Sequence, residues 1–179
     1  MRERGDKSPH LETVTTTVYR RYPFSWMRIR RPVVAIDSAN FGRRGLGRTY
    51  LKYDFRTRSH IAVLLKAESK KIIGYAVARP LDEVPQQRGL YAEPETAYVS
   101  IIALHPTVQG RRLASPLLDT LIDALRTRGY THMELDARKR NGSAQKLIRH
   151  FGEAVEKKWT TYNQQLDENM KHLRVRIAN

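Results

Sequence analysis

No cysteine occurs among the 179 residues, which removes disulfides, thiolate-bound metal and a cysteine nucleophile together. No apolar run is long enough to span a bilayer. Met1–Leu11 (MRERGDKSPHL) is polar and charged and lacks the apolar stretch of a signal peptide. A cytoplasmic protein with no membrane partner is therefore expected. Acidic side chains are also scarce, 18 against 33 Lys and Arg, for a formal net charge of +15. Residues 1–60 hold 14 basic and 5 acidic side chains (+9), and residues 61–179 hold 19 and 13 (+6), so the first third carries more than half of the excess. Such a field favours polyanions, whether RNA or an acidic protein surface, and says nothing about the fold. No His, Asp and Glu grouping has ligand spacing, so no metal site is expected.

What is present fits one domain over residues 13–179 behind a charged tail at residues 1–12. Thr13–Tyr19 (TVTTTVY) is rich in β-branched residues and reads as a strand. Val33–Phe41 and Leu46–Phe55 read as two short helices separated by Gly42, Gly45 and Gly47. Ile61–Leu65 and Ile72–Ala78 form a predicted hairpin, and Asp82–Glu95 a loop holding Pro85, Gly89 and Pro94. Thr96–Leu104 (TAYVSIIAL) is nearly all apolar, as expected for a strand buried on both faces. Ala114, Leu117, Leu118, Leu121, Ile122 and Leu125 recur at three- and four-residue steps, so a helix follows, with Gly129 to end it. Met133–Ala137 is the next strand. Ala144, Leu147, Ile148 and Phe151 mark a shorter helix that Asn141 is placed to cap. Val155–Tyr162 and His172–Ile177 close the chain as strands. The order β–α–β–α–β–β implies an α/β (α+β) fold, a mixed sheet covered by helices.

The chemistry concentrates in Ile101–Ser115 (IIALHPTVQGRRLAS). A buried strand ends at Leu104, turns at Pro106 and enters a helix through Gln109-Gly110-Arg111-Arg112. Unpaired N–H groups and the helix dipole make such a junction an anion site suited to a pyrophosphate, and the two arginines add charge beside it.

This segment resembles the acetyl-CoA signature of the GNAT superfamily of N-acetyltransferases, V-x-P-x-x-[QR]-x-x-G-x-[GA]. Leu104, Pro106, Gln109, Arg112, Leu113 and Ala114 fall on it. Leu135–Gly152 (LDARKRNGSAQKLIRHFG) is similar to the family's second block, L-E-V-R-x-x-N-x-x-A-x-x-L-Y-x-x-x-G, and Ile73-Gly74-Tyr75-Ala76 to its upstream hairpin. The resemblance implies a mostly antiparallel sheet flanked by helices, and acetyl-CoA as acyl-donor substrate. The pantetheine arm would pair with the backbone of Ile102, Ala103 and Leu104, in a splay between that strand and Met133–Ala137. The pyrophosphate would lie on Gln109, Gly110, Arg111, Arg112, Leu113, Ala114 and Ser115, and Asn141 would touch the pantetheine or the thiol. The acceptor amine would attack the thioester directly from beneath the N-terminal helices.

Two positions depart from the family pattern. Arg112 stands where the loop has its central glycine. It requires either ordinary helical backbone there or a strained, weaker loop, since positive φ would cost Arg about 1 kcal/mol or more. Ile148 stands where the family often has a proton-donating tyrosine. For the base that takes the amine proton, Glu95 at the mouth of the central strand is the leading carboxylate, with Glu93 behind it. Tyr98 and Ser100, two residues apart on a strand, would share a face and line the acceptor cleft. His105 reads as a turn residue and Asp136 as structural. Arg20–Arg31 (RRYPFSWMRIRR) interleaves five arginines with Tyr22, Phe24 and Trp26, a combination that holds nucleic acid when exposed and packs as core when buried. The expected function is N-acetyl transfer to a protein lysine, an N-terminus or a small amine. The alternatives are transfer to an RNA-borne amine such as aminoacyl-tRNA, or a non-catalytic module binding coenzyme or nucleic acid. Expected partners are the coenzyme A thioester, the acceptor, an acidic protein or RNA, and a second copy of the chain in a homodimer.

Overall fold

The computed structural model describes residues 13–22, 24–84, 95–138, 142–164 and 167–178. A seven-stranded sheet forms its centre, built from β1 (Val14–Val18), β2 (Ile61–Ala67), β3 (Ile72–Pro80), β4 (Thr96–Leu104), β5 (His132–Arg138), β6 (Val155–Asn163) and β7 (Glu168–Arg176). The strand order is β1-β2-β3-β4-β5-β7-β6, and every neighbouring pair is antiparallel except β4 with β5. The parallel pair needs a crossover, which α3 (Ala114–Thr127) supplies. Helices α1 (Ser25–Phe41) and α2 (Gly47–Arg56) cover one face of the sheet; α3 and α4 (Ser143–Phe151) cover the other. No described helix is long and apolar enough to cross a membrane.

Two cores meet at the sheet. Leu117, Leu121 and Leu125 of α3 pack on Val63, Ala76, Val99 and Leu135. Val33 and Ile36 of α1 and Leu51 and Phe55 of α2 pack on the opposite side, against Leu64, Tyr75, Val77 and Ala103. The first helix starts eight residues earlier than its sequence reading, at Ser25 rather than Val33. Pro32, the residue before that expected start, lies inside α1. The buried face of Trp26, Ile29, Val33 and Ile36 outweighs the backbone bond that proline removes. Strand β7 likewise begins at Glu168, ahead of the expected His172.

Buried polar groups lock the α1–α2 layer. Asp37, 1% exposed, accepts from the backbone N–H of Leu46 (3.2 Å) and Gly47 (3.1 Å), anchoring the start of α2. Burial, then the charge and hydrogen bond of Asp37, drives the Tyr75 phenol far above its ordinary range. Under α2, His60 is wholly buried, with Nδ1 3.1 Å from Asp54 Oδ1 and Nε2 2.9 Å from Glu83 Oε2. Burial alone would raise the Glu83 carboxyl. Hydrogen bonds from Ser59 and His60, with the charges of His60 and Arg79, carry it below the ordinary range instead.

Candidate active site

The site forms where the central sheet comes apart. Strands β4 and β5 pair only from Thr96↔His132 to Val99↔Leu135. Beyond that point β4 stays with β3 as far as Leu104↔Gly74, and β5 stays with β7 as far as Arg138↔Met170. The two strands therefore diverge after Val99, and the β5-side edge of residues 100–104 is left open. The phase of the ladder says which groups face the opening. His105 N–H donates to the Ile73 carbonyl at 2.8 Å, so in antiparallel alternation His105 and Ala103 turn their backbone groups toward β3. Ile102 and Leu104 turn theirs into the splay. The Leu104 carbonyl is held there by Nδ2 of Asn40 (2.9 Å) and Nε2 of Gln109 (3.1 Å). The N–H of Leu104 and both backbone groups of Ile102 can accept an extended amide-bearing arm as a strand partner.

Ser100 follows the vertex at Val99 directly. Between Val77↔Ile101 and Ala78↔Val99, β4 carries one residue more than β3, a bulge at Ser100. The bulge reverses side-chain parity. Ala97, Val99, Ile102 and Leu104 belong to the α3 side, whereas Ile101 and Ala103 join the α1–α2 side, where Tyr98 meets Arg79 and through it Tyr50. The shared face expected for Tyr98 and Ser100 rests on strict alternation, which the bulge at Ser100 interrupts. The Ser100 Oγ is buried with no hydrogen-bond partner among the described residues. The Tyr98 ring is fully buried against Leu81, Val84 and Trp159, and its hydroxyl donates to Asp136 Oδ1 at 2.7 Å. Asp136, half-buried, is the first β5 residue past the last β4–β5 pair.

At the far end of the splay lies the loop into α3. Gly110 (φ 81°) and Arg112 (φ 60°) are both left-handed, whereas Leu113 is right-handed (φ −76°, ψ −8°), an alternation that turns successive N–H groups into an anion-binding nest. No acceptor among the described residues meets the N–H of Gly110, Arg112, Leu113 or Ala114. Ser115 N–H is turned instead to the Arg112 carbonyl at 3.4 Å. The loop thus keeps the backbone that glycine serves best, with arginine in it. Gln109 acts as a tether, its Nε2 also donating to Asn40 Oδ1 at 2.6 Å and tying the loop to the end of α1. Arg138 lies 6.0 Å over the Phe41 ring, closing β5 on the same helix end.

Open strand edge and N–H nest follow one another along the chain, as an extended acyl donor ending in a pyrophosphate requires. The comparisons agree. The chain matches the acetyltransferase (GNAT) family over residues 25–152 and belongs to that family, a family of acetyl-transferring enzymes. Its fold is similar to the ribosomal-protein-S18-alanine N-acetyltransferase of Escherichia coli: 17% identity, 92% of this chain and 96% of that one covered, TM-score 0.66. It is also similar to an N-acetyltransferase of Staphylococcus aureus Mu50 (14%, 92% and 99% covered, TM-score 0.66). An IAA acetyltransferase of Bacillus cereus ATCC 14579 shares the fold as well (14%, 92% and 99%, TM-score 0.58). No curated protein sequence matches this chain significantly.

The structure brings Ile102, Leu104 and the loop Gln109–Ser115 along one line, with Tyr98 and Ser100 at its start; Ala103, expected beside them, turns its backbone to β3 and its side chain into the α1–α2 core. It does not bring Glu95 there. Glu95 is exposed at the opposite end of β4, its carbonyl accepting from Thr131 N–H (2.9 Å) and its Oε2 3.5 Å from Thr131 Oγ1. Four residues of extended chain, about 13 Å, separate it from the vertex at Val99. Asn141 and Glu93 lie outside the described residues, and Gly142 (φ 68°) occupies the N-cap of α4 in place of the expected Asn141. His105 caps its own turn, with Nδ1 2.8 Å from Thr107 Oγ1. Ile148 packs against the α3-side core. Nothing local in helix α1 marks Asn40, which is 64 residues from the carbonyl it holds.

Proposed function

We propose that this protein is an acetyl-CoA-dependent N-acetyltransferase of the cytoplasm, transferring an acetyl group to an amine. The observation that carries this reading is the divergence of β4 from β5 after Val99, in line with the N–H nest at Gly110–Ala114. The residues present fit the donor: Ile102 and Leu104 would pair with the pantetheine arm, and the nest with Arg111 and Arg112 would take the pyrophosphate. Bound there, the donor supplies an acyl carbon activated by a thiolate leaving group. The chain's own part is to align that carbon and to take the proton the attacking amine gives up. Asp136 is the carboxylate at the vertex, and the Tyr98 hydroxyl fixes its orientation, so we assign it that proton in preference to Glu95. The acceptor reaches Asp136 from the α1–α2 side of the sheet, and its carrier is a protein, a small amine or an RNA. A second reading, a module that binds coenzyme without turning it over, draws on the strained Arg112 and on Ile148.

Calorimetry and thermal melts with millimolar acetyl-CoA test binding. A donor present at a hundredfold excess over Kd stabilises the native state by roughly 2.7 kcal/mol. Thiol release with a panel of amines, read by mass shift of the acceptor, tests transfer. No melting shift together with no calorimetric heat removes both readings; binding without transfer to any amine leaves the second.

A further inference from the structure

One cavity lies away from the splay. It measures about 620 Å³ and sits between edge strand β1 and the start of α1. Its floor is apolar, formed by Ile29 and Leu64, with Val18 exposed at its side, and its rim carries Arg20, Arg28 and Lys66. No acidic side chain lines it, and none of the three cations is paired with a carboxylate among the described residues. In the strand order β1 is three places from β4, about 14 Å at ~4.8 Å per strand, so the cavity is separate from the donor line.

The surroundings point to an anion with aromatic character. From Thr13 to Ile36 the sequence has five arginines and no Asp or Glu. The first turn of α1 contains no acidic residue, and Arg28 closes it, although the helix dipole disfavours cations there. A bound anion satisfies both the arginines and the dipole. Beside the rim, Tyr22 and Phe24 are 63% and 75% exposed, and Phe24 is held at φ 65°, strained backbone for an aromatic residue. Backbone bonds tie the turn that carries the pair to the start of α1: Ser25 N–H donates to the Tyr22 carbonyl and Met27 N–H to that of Phe24, both at 3.0 Å. Trp26 turns inward to the core, so the aromatic run splits into one buried ring and two displayed ones.

We propose that this cavity and the two displayed rings bind single-stranded nucleic acid. A phosphodiester lies on Arg20, Arg28 and Lys66, and adjacent bases stack on Tyr22 and Phe24. The volume suits one nucleotide-sized unit, and stacking on exposed rings needs bases that are not already in a duplex. The inference stands apart from the acetyl-transfer reading, since no residue in it belongs to the donor line.

Fluorescence anisotropy with a labelled 12-nucleotide single-stranded RNA, over a salt series, tests it. Each phosphate contact on a single strand contributes about 0.7 to the log–log salt slope, so the Arg20→Ala/Arg28→Ala/Lys66→Ala variant loses about two units of slope. Tyr22→Ala/Phe24→Ala weakens binding about thirtyfold or more with the slope unchanged. Removing the same charge on the last two strands of the far side of the sheet, with Lys157→Ala/Lys158→Ala on β6 and Arg176→Ala on β7, leaves the slope as in the wild type. Circular dichroism melts within a few degrees of wild type show each variant folded. Absence of wild-type binding at low salt overturns the proposal, as does equal loss of slope in the two triple variants. It is overturned too if inorganic phosphate or poly-glutamate displaces the RNA at constant ionic strength while the aromatic variant binds normally, which makes the cavity an anion site without base recognition.

Discussion

Arg112 offers the cleanest separation of stability from binding in this protein. Its φ of 60° is a left-handed conformation that a Cβ opposes by about 1–2 kcal/mol, and glycine at that position is free of the opposition. Glycine also gives the unfolded chain more freedom, worth about 0.4–1 kcal/mol in the other direction. Arg112→Gly should therefore stabilise the ligand-free protein by about 0.5–1 kcal/mol, or about 1–4 °C in Tm for a chain of this size. Arg112 is solvent-exposed, so the change creates no cavity. Arg112→Ala keeps the Cβ, and with it the strain, and should melt within about 1 °C of wild type. Both variants remove the guanidinium. If it contacts the donor's phosphate, acetyl-CoA affinity falls in both by about 1.5–3 kcal/mol, roughly ten- to hundredfold in Kd. Scanning calorimetry without ligand, followed by titration calorimetry with acetyl-CoA, reads the two effects separately. A lower Tm for Arg112→Gly would refute the strain argument, and an unchanged Kd in both variants would refute the phosphate contact.

Two further outcomes rest on named carboxylates. Asp136→Asn should lower kcat/KM at least tenfold near neutral pH, with part of the loss recovered at higher pH, whereas Glu95→Gln, about 13 Å along β4 from the vertex, should stay within about twofold. The reverse ranking would return the base to Glu95. For Glu83 the folded carboxyl titrates below its unfolded value, so the unfolded chain binds more protons in the acid range. That stability is present above the ordinary glutamate pKa and is lost as pH falls through the folded value. Urea midpoints at pH 7 and pH 3.5 should therefore differ less in Glu83→Gln than in wild type, and an equal difference would show the His60–Glu83 contact to be without effect.

Much of the fold was legible locally. The three- and four-residue spacing in α3 and the unbroken apolar run of β4 each follow from one segment's own periodicity, so the sequence alone places them. The loop Gln109–Ser115 was legible for the same reason, because a strand, a turn and a helix start lie within one short stretch. The start of α1 was not, since Pro32 is a local breaker and only burial of Trp26 and Ile29 against the sheet overrides it. Nor was the facing of Ile101 and Ala103. A bulge adds one residue to one strand of a pair, and no single strand records how many residues its neighbour contributes.

The same distinction divides the site. Sequence by itself determined that there is no thiol, that the chain is strongly basic toward its first third, and that a strand runs through an arginine-bearing turn into a helix. Only the tertiary structure decided that β4 parts from β5 at Val99, that Asp136 and Ser100 meet the opening, and that Asn40 crosses 64 residues to hold the Leu104 carbonyl. It also decided that Glu95 lies at the wrong end of its strand for that opening, and that Tyr22 and Phe24 are displayed beside a cationic cavity while Trp26 is buried. The physical reason is that periodicity and turn chemistry are properties of neighbours along the chain, whereas a splay, an orphaned hydroxyl and an unpaired cation depend on which groups the rest of the fold leaves without a partner.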